Sequence, residues 1–492
     1  MASALRTHER RVEFVGVALV LFLLFCLAVA VISTGKVFGY DEALYASKTR
    51  SFATSIPAAS WSIFRPPGLP VLGLAAIPIG LDDVGLRSLG AGFGILASAL
   101  AWSLARMLWG TLAAALALLA IVSSPIVLEQ IVLFHNEMPS LAAVLALLWV
   151  LWWQLEVRER SNWLLLAAAP LAVVAFSVRY GVLAVLIGIG MAGLLLWSRR
   201  ALRDIRLVGA TISLLAILFG VHVVDAVAQT GSPLGIVSLA VSRTDTTTPD
   251  ISLLQYVRAL PLSLAGIGGI GLAIGALMAV IVAAADSARA RRVSPSARPL
   301  TLLLVPAVVA AIGTIVVSHP EPRYLIVPLI LVEIAGAGAL ARAARWTQAQ
   351  LRSANARLAS RVVPGLLVGL VVLGAVMWAR SFRGGTIPSR FQWIADSGRA
   401  IAARADPDCA VISTIGPQLS WYSRCEAMDF EDRDAATAQA TGGGSVYVVL
   451  TSLDATRGHP DVISDFRRSV VLEEIDSIGT ADNGATVYRL AP

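Results

Sequence analysis

FVGVALVLFLLFCLAVAVIST, Phe14 to Thr34, runs directly into GKVFGYDEALYASKTR, Gly35 to Arg50. The first piece is 21 residues of nearly unbroken apolar sequence, about the length that crosses a bilayer as a helix. The second sets two carboxylates, Asp41 and Glu42, side by side just past its end. Arg6, Arg10 and Arg11 precede the run, and Ala28-Val29-Ala30 imitates a signal-peptide cleavage site. The apolar core exceeds the roughly 7–15 residues of a signal peptide, so an uncleaved span is expected. Carboxylates are costly inside lipid and are free to act just outside it.

The remainder of the chain repeats the pattern. Of 492 residues, 57% are hydrophobic and 14% charged, and the mean hydropathy is +0.75. Soluble domains carry roughly a quarter charged residues, so the chain is not soluble throughout. The sequence predicts a polytopic α-helical membrane protein with about eleven spans. They lie near 14–34, 86–105, 111–127, 138–155, 163–178, 181–197, 207–228, 257–284, 300–318, 325–341 and 362–379. GLPVLGLAAIPIG, Gly68 to Gly80, is too short and proline-broken to count as another.

Arginines set the expected orientation. Arg106, Arg158, Arg160, Arg199, Arg200, Arg203, Arg206, Arg289, Arg291, Arg292 and Arg298 fall in alternate connections, as do Arg345, Arg352, Arg357 and Arg361. The positive-inside rule makes those connections and the basic N-terminus cytoplasmic. An odd number of spans puts the C-terminus outside. These basic residues flank membrane spans, which gives no sign of nucleic-acid binding.

The last 112 residues, from about Ser381, are different: 10 Arg stand against 15 Asp plus Glu, a net −5, which leaves +12 for the rest. Short β-like runs occur at 410–414, 446–450, 469–474 and 485–490, separated by Gly442-Gly443-Gly444, Asp482-Asn483-Gly484 and similar turn signals. A small α/β domain outside the membrane is expected. Cys409 and Cys425 lie in it, and the third cysteine, Cys26, is in the first span. An oxidising compartment favours a disulfide between the pair; two free thiols are the alternative.

On this topology the outer face collects polar groups from loops distant in sequence. The first external loop, 35–85, supplies Asp41, Glu42, Tyr45, Arg65 and the chain's two lysines, Lys36 and Lys48; the second supplies Glu129, His135, Asn136 and Glu137. A third gives Arg179-Tyr180, and a later one His319, Glu321, Arg323 and Tyr324. Each has a plainer reading. Asp41-Glu42 and Glu137 suit the positive end of a helix dipole, Arg323-Tyr324 suits a snorkelling pair, and the lysines suit solvent. Three groups lie within spans, Glu333, His222 and Asp225, and receive no binding role; a neutral Glu333 bonded to a neighbouring helix suffices.

The ordered set resembles the GT-C glycosyltransferases that use polyprenyl-phosphate sugars, among them protein O-mannosyltransferases and the aminoarabinose transferases that modify lipid A. YDEALYA (40–46) is similar to their Asp-Glu motif, FRPPGLPVL (64–72) to the Pro-Pro segment that follows it, SSPIVLEQIVLFHNEMP (123–139) to their Ser-Pro element leading to a second acid, and HPEPRYLIVP (319–328) to their His…Arg-Tyr…Pro element. Glu137 stands where many relatives have Asp.

The resemblance implies sugar transfer from a polyprenyl-phosphate donor to a glycan, glycolipid or protein acceptor, with inversion. Mannose and arabinose are both compatible. Asp41 and Glu137 would be the catalytic residues, Asp41 as the base and Glu137 positioning the acceptor or the base. Arg323 and Tyr324 would hold the lipid phosphate, with Lys48, Arg65 and Arg179 as secondary candidates. Glu42, Tyr45, His135 and His319 complete the substrate-binding set. A divalent cation could use Asp41, Glu42, Glu137 and His135, but no spacing demands one, and no metal is expected. The implied location is a bacterial cytoplasmic membrane. A transporter or flippase of a lipid-linked or anionic substrate is the alternative, disfavoured by the lack of an internal repeat.

Overall fold

The computed structural model describes residues 2–56, 58, 61–242, 266–290, 294–317, 322–351, 391–451, 454, 460–480 and 483–491. It divides into two compact units: Met1–Ala28, Gly90–Val132 and Asn136–Gly384 form the first, and Val29–Leu89, Leu133–His135 and Gly385–Pro492 the second.

The first unit is helical because lipid offers no partners for backbone N–H and C=O groups, which a helix satisfies within itself. Among the described residues seven helices are long and apolar enough to span, starting with Glu13–Ile32 and ending with Arg323–Arg345. An eighth is gained if Thr111–Ser123 and Pro125–Ile131, bent by 68°, form one span. Pro125 explains the bend, since it has no N–H to donate and pushes Ser124 to an extended conformation (φ −70°, ψ 118°). Among the described residues the helices therefore account for seven or eight of the roughly eleven expected spans. Trp163–Val178 and Ala273–Ala284 are shorter apolar helices, and 362–379 lies outside the described residues.

Burial sorts the spans. The Arg323–Arg345 window is 78% buried, whereas Ile205–Thr230 is 0% buried and presents its apolar surface outward. The Ile326–Leu351 helix packs against Thr111–Ser123, Gly266–Ala290 and Ala297–Val317. Gly338 admits the ring of Trp109, the last residue of the Asp83–Trp109 helix, since a Cβ there would clash with it.

The basic connections expected on one side do meet. Arg106 pairs with Glu13 at 2.9 Å, and Arg345 donates to the Trp109 carbonyl at 3.1 Å. Arg298 bonds Glu156 at 2.7 Å and the Leu196 carbonyl, while Arg200 and Arg203 bond the carbonyls of Arg158 and Glu159. These contacts join the same end of the helices into one layer of arginines and carbonyls. The Glu137–Val157 span has 21 residues, so it holds Glu137 about 30 Å from that layer.

The second unit contains a five-stranded sheet: β1 (Ala410–Ile412), β2 (Glu426–Met428), β3 (Val446–Thr451), β4 (Leu472–Thr480) and β5 (Asn483–Leu490), in the order β2-β1-β3-β5-β4. β1 is parallel to β2 and β3, and β5 is antiparallel to β3 and β4. Side chains alternate between two cores, as the pleat requires. Val411, Tyr447 and Val449 join Trp393 and Leu419 on one face; Ile412, Val446 and Val448 join Phe430 and Phe466 on the other. Helices thus cover both faces of an α/β sheet.

The strand expected at 469–474 begins later, at Leu472, because Pro460–Ser469 is helical; β2 was not anticipated. Cys409 and Cys425 form the expected disulfide, with Cα atoms 4.8 Å apart, joining the residues just before β1 and β2. Closing a loop of that size stabilises the unit by about 3 kcal/mol.

The first external loop belongs to this unit too. Its Tyr40–Ala53 helix packs on Gly416–Ser423, with Phe38, Tyr45, Leu69, Phe134 and Trp421 in a shared core. The Trp421 indole N–H and the Tyr422 hydroxyl both donate to Asp83, and the Phe38 amide donates to the Tyr422 oxygen at 3.0 Å.

Candidate active site

The sequence-predicted residues fall into two groups, one in each unit. In the second unit, Asp41 and Glu42 lie in the first turn of the Tyr40–Ala53 helix. The helix dipole favours acids there, so the plain reading of this pair is satisfied as well. Their environments diverge at once.

Glu42 is 1% exposed and held on both oxygens. Oε1 accepts from Arg87 Nε at 2.9 Å and from the Phe134 amide at 3.0 Å; Oε2 accepts from Arg87 Nη2 at 2.7 Å and from the Gly39 amide at 3.0 Å. Burial alone would raise its pKa. The adjacent Arg87 guanidinium, His135 and the Gly39 amide outweigh that, so it lies below the ordinary carboxylate value. Glu42, expected among the substrate-binding residues, ties the loop start, the Asp83–Trp109 helix and segment 133–135 together. With four donors on it, it has no free lone pair for a metal. Among the described residues, no three His, Cys, Asp or Glu side chains are grouped to hold one.

Asp41 is left more open. Its Oδ1 accepts from Arg65 Nη1 at 3.0 Å, and the two side chains are 28% and 21% exposed. Burial disfavours the charge on Arg65, but the Asp41 carboxylate and Tyr45 more than offset it, so its pKa is raised. Tyr45 and Lys48 follow Asp41 at positions four and seven later, on one face of the helix. The Arg65 guanidinium lies 6.0 Å from the Tyr45 ring, and Lys48 Nζ lies 5.1 Å from Phe52 and 5.7 Å from Trp61. The result is a half-open carboxylate rimmed by cations and aromatic faces.

In the first unit, Glu137 opens the Glu137–Trp152 helix and is 1% exposed. It stands 3.5 Å from Arg179 Nη1 and 3.8 Å from Arg323 Nε. Both guanidiniums lie near the Tyr324 ring, at 4.7 and 5.7 Å. Three connections far apart in sequence thus bring two cations, one acid and one phenol together. His319 lies outside the described residues. Elsewhere in this unit, Glu333 is fully buried, and neither of its oxygens has a hydrogen-bond partner among the described residues, so the helix-to-helix bond expected of it is not seen there. His222 packs its ring on Phe176 and Tyr180, and Asp225 accepts from Gln229.

Sequence reading missed Arg87, at the second position of an expected span. Asp83 stands four residues before it, so in the sequence Arg87 reads as half of a local helix pair and carries no signal of the distant Glu42.

Solved structures share this architecture along nearly the whole chain. ArnT from Cupriavidus metallidurans bound to undecaprenyl phosphate superposes with a TM-score of 0.66 at 15% identity, covering 97% of each chain. The chain has the GT-C fold. The GT-C oligosaccharyltransferase AglB from Archaeoglobus fulgidus, in complex with an inhibitory peptide and a dolichol-phosphate, matches with a TM-score of 0.54 at 13% identity over 92% of this chain and 72% of that one. The arabinofuranosyltransferase AftD from Mycobacteria matches with a TM-score of 0.54 at 14% identity, over 96% of this chain and 40% of the larger AftD chain. Residues 66–224 match the model of the dolichyl-phosphate-mannose-protein mannosyltransferase family. That segment contains Arg87, Glu137 and Arg179 but neither Asp41 nor Arg323. No curated protein sequence matches significantly.

Proposed function

We propose that the protein transfers a sugar from a polyprenyl-phosphate donor to an extracytoplasmic acceptor in one inverting displacement, with Asp41 as the base. The half-open Asp41 carboxylate beside Arg65 carries the reading, because its neighbour Glu42 is wholly engaged by the protein. Undecaprenyl phosphate bound to ArnT and dolichol-phosphate bound to AglB support a lipid-linked donor.

The acceptor oxygen attacks the anomeric carbon and forms the new glycosidic bond. The bond from that carbon to the phosphate oxygen breaks, and polyprenyl phosphate leaves with its electron pair. Asp41 takes the acceptor proton; a base so placed contributes about 10²–10⁴-fold. The departing phosphate monoester is a good leaving group without a general acid, so a second glycosidase-type carboxyl is not required. Arg179 and Arg323 bind the lipid phosphate and stabilise the charge that develops on it, with Tyr324 donating beside them. Glu137 positions the two guanidiniums rather than moving a proton. The arginine-rich end faces the cytoplasm, and the chain emerges outside after the Ala2–Ile32 helix.

Membranes containing the protein, supplied with a panel of radiolabelled polyprenyl-phosphate sugars, should release polyprenyl phosphate and label an acceptor with one of them. Asp41→Asn should lower that transfer at least about 100-fold while leaving the unfolding temperature unchanged. Equal transfer by Asp41→Asn, or movement of lipid-linked sugar across liposomes without covalent change, would overturn the reading.

A further inference from the structure

A cleft of about 390 Å³ opens in the second unit, within the roughly 300–1,000 Å³ range of small-molecule sites. Arg50, Arg399 and Arg424 line it together with Trp421, Tyr422 and Asp83. Arg50 comes nine residues after Asp41. At 100° per residue that is the opposite face of the helix, so the cleft is not part of the Asp41 group.

Three arginines and two carboxylates, Asp82 and Asp83, line the cleft, and neither carboxylate forms an ion pair with Arg50 or Arg424 among the described residues. Asp83 accepts from Trp421 and Tyr422, and Asp82, also in the lining, accepts the Gly85 amide at 2.7 Å. Arg50 is 7% exposed, donates only to the carbonyls of Ser420 and Trp421, and has no hydrogen-bond partner at Nε among the described residues. No carboxylate pairs with Arg50 or Arg424 among those residues. Burial and the neighbouring Arg424 charge lower the Arg50 pKa to about 10. Burying a cation without a counter-ion is costly unless an anion completes the site.

Two further features fit a ligand. Arg424 has φ 66°, the only non-glycine in the left-handed region among the described residues, at a helix end where glycine is usual. The Arg50 and Arg399 guanidiniums lie 4.8 Å over Trp421 and 5.6 Å over Tyr422, so aromatic faces hold them in place. Arg399 also pairs with Asp396 at 3.1 Å on the exposed rim.

We propose that this cleft binds an oxyanion, a phosphate or carboxylate carried on a saccharide-sized molecule. If the transferase reading holds, that anion belongs to the acceptor; the binding itself does not rest on that reading. The full-length protein in lipid nanodiscs is titrated calorimetrically with glucose 6-phosphate, glucuronate, glucose and inorganic phosphate, with no donor lipid present. A charged sugar should bind and weaken as salt is added, and glucose should not bind. Arg424→Gly, which suits the left-handed backbone, should weaken the charged sugar at least about tenfold. Arg399→Gln, on the exposed rim, should weaken it less, in the same direction.

Absence of binding at millimolar concentration, equal binding of glucose, or affinity unmoved by both variants overturns the proposal. Inorganic phosphate binding as tightly as glucose 6-phosphate reduces the cleft to a phosphate site and overturns its saccharide component. Because no donor is present, failure here leaves sugar transfer untouched, and loss of transfer in Asp41→Asn leaves this binding untouched.

Discussion

Glu42 and Glu137 are matched in position and opposite in design. Each lies in the first turn of a helix, each is 1% exposed, and each meets arginine. Arg87 grips Glu42 through two nitrogens at 2.7 and 2.9 Å, and two backbone amides complete its four contacts. Glu137 lies between two arginines at 3.5 and 3.8 Å, separations of ionic attraction rather than of short hydrogen bonds. The first arrangement is closed, with each donor matched to a lone pair. The second keeps two guanidinium forks beside one acid, a geometry that can tighten around a phosphate. A buried carboxylate next to arginine therefore does not by itself mark a site; the distances to the guanidiniums separate the two cases.

The harshest way to break that comparison is to remove one partner of the closed pair. Glu42→Ala or Arg87→Met strands a buried charge, which costs about 3–5 kcal/mol. Thermal unfolding in detergent should fall sharply for either, and the Glu42→Ala/Arg87→Met double variant should recover part of the loss. A substrate-binding Glu42 would behave differently, losing transfer at an unchanged unfolding temperature.

This pair also shows what the sequence displayed and what it hid. Spans were legible where an apolar run is unbroken, as at Phe14 to Thr34, because length against bilayer thickness is a local property. The Cys409–Cys425 bridge was legible because only two cysteines fall outside the membrane. Asp41, Glu137 and Arg323 could be singled out as ionisable groups beside apolar runs. The Glu42–Arg87 pair was hidden, since its members are 45 residues apart and Arg87 reads as the edge of a span. The grouping of the first external loop with the C-terminal sheet was hidden more deeply. It depends on contacts such as Arg50 with the Trp421 carbonyl, 371 residues apart, for which no periodicity or spacing exists. β2 is three residues long and begins with an exposed Glu426, too short to show alternation.

Removing one arginine from the looser arrangement should have a smaller and different effect. Arg323 is 20% exposed, so Arg323→Ala should alter the unfolding temperature little. If it holds the lipid phosphate, its loss costs about 1.5–3 kcal/mol, roughly 10- to 150-fold in kcat/KM for the lipid-linked donor. Inhibition by added undecaprenyl phosphate should weaken in parallel. A variant that unfolds early but retains its donor kinetics would place Arg323 with the structural pair and collapse the distinction.

Acid titration gives the smallest and most specific separation of the two arrangements. The Glu42 carboxyl is lower in the folded protein than its ordinary value of 4.5, because the pull of Arg87 exceeds the burial penalty. A carboxyl depressed on folding binds its proton more weakly in the native state, so the stability it contributes is fully present above about pH 4.5. That contribution is lost as the pH falls from there through the folded value. The unfolding temperature of the wild type should therefore include a downward step in this window that begins only near pH 4.5. Glu42→Gln cannot titrate there; it should start lower at neutral pH and lack the step. Glu137→Gln should keep the step, since Glu42 and Arg87 remain intact in it. Parallel acid curves for wild type and Glu42→Gln would mean that the short contacts around Glu42 contribute no net stability, and the closed arrangement would then not differ energetically from the loose one.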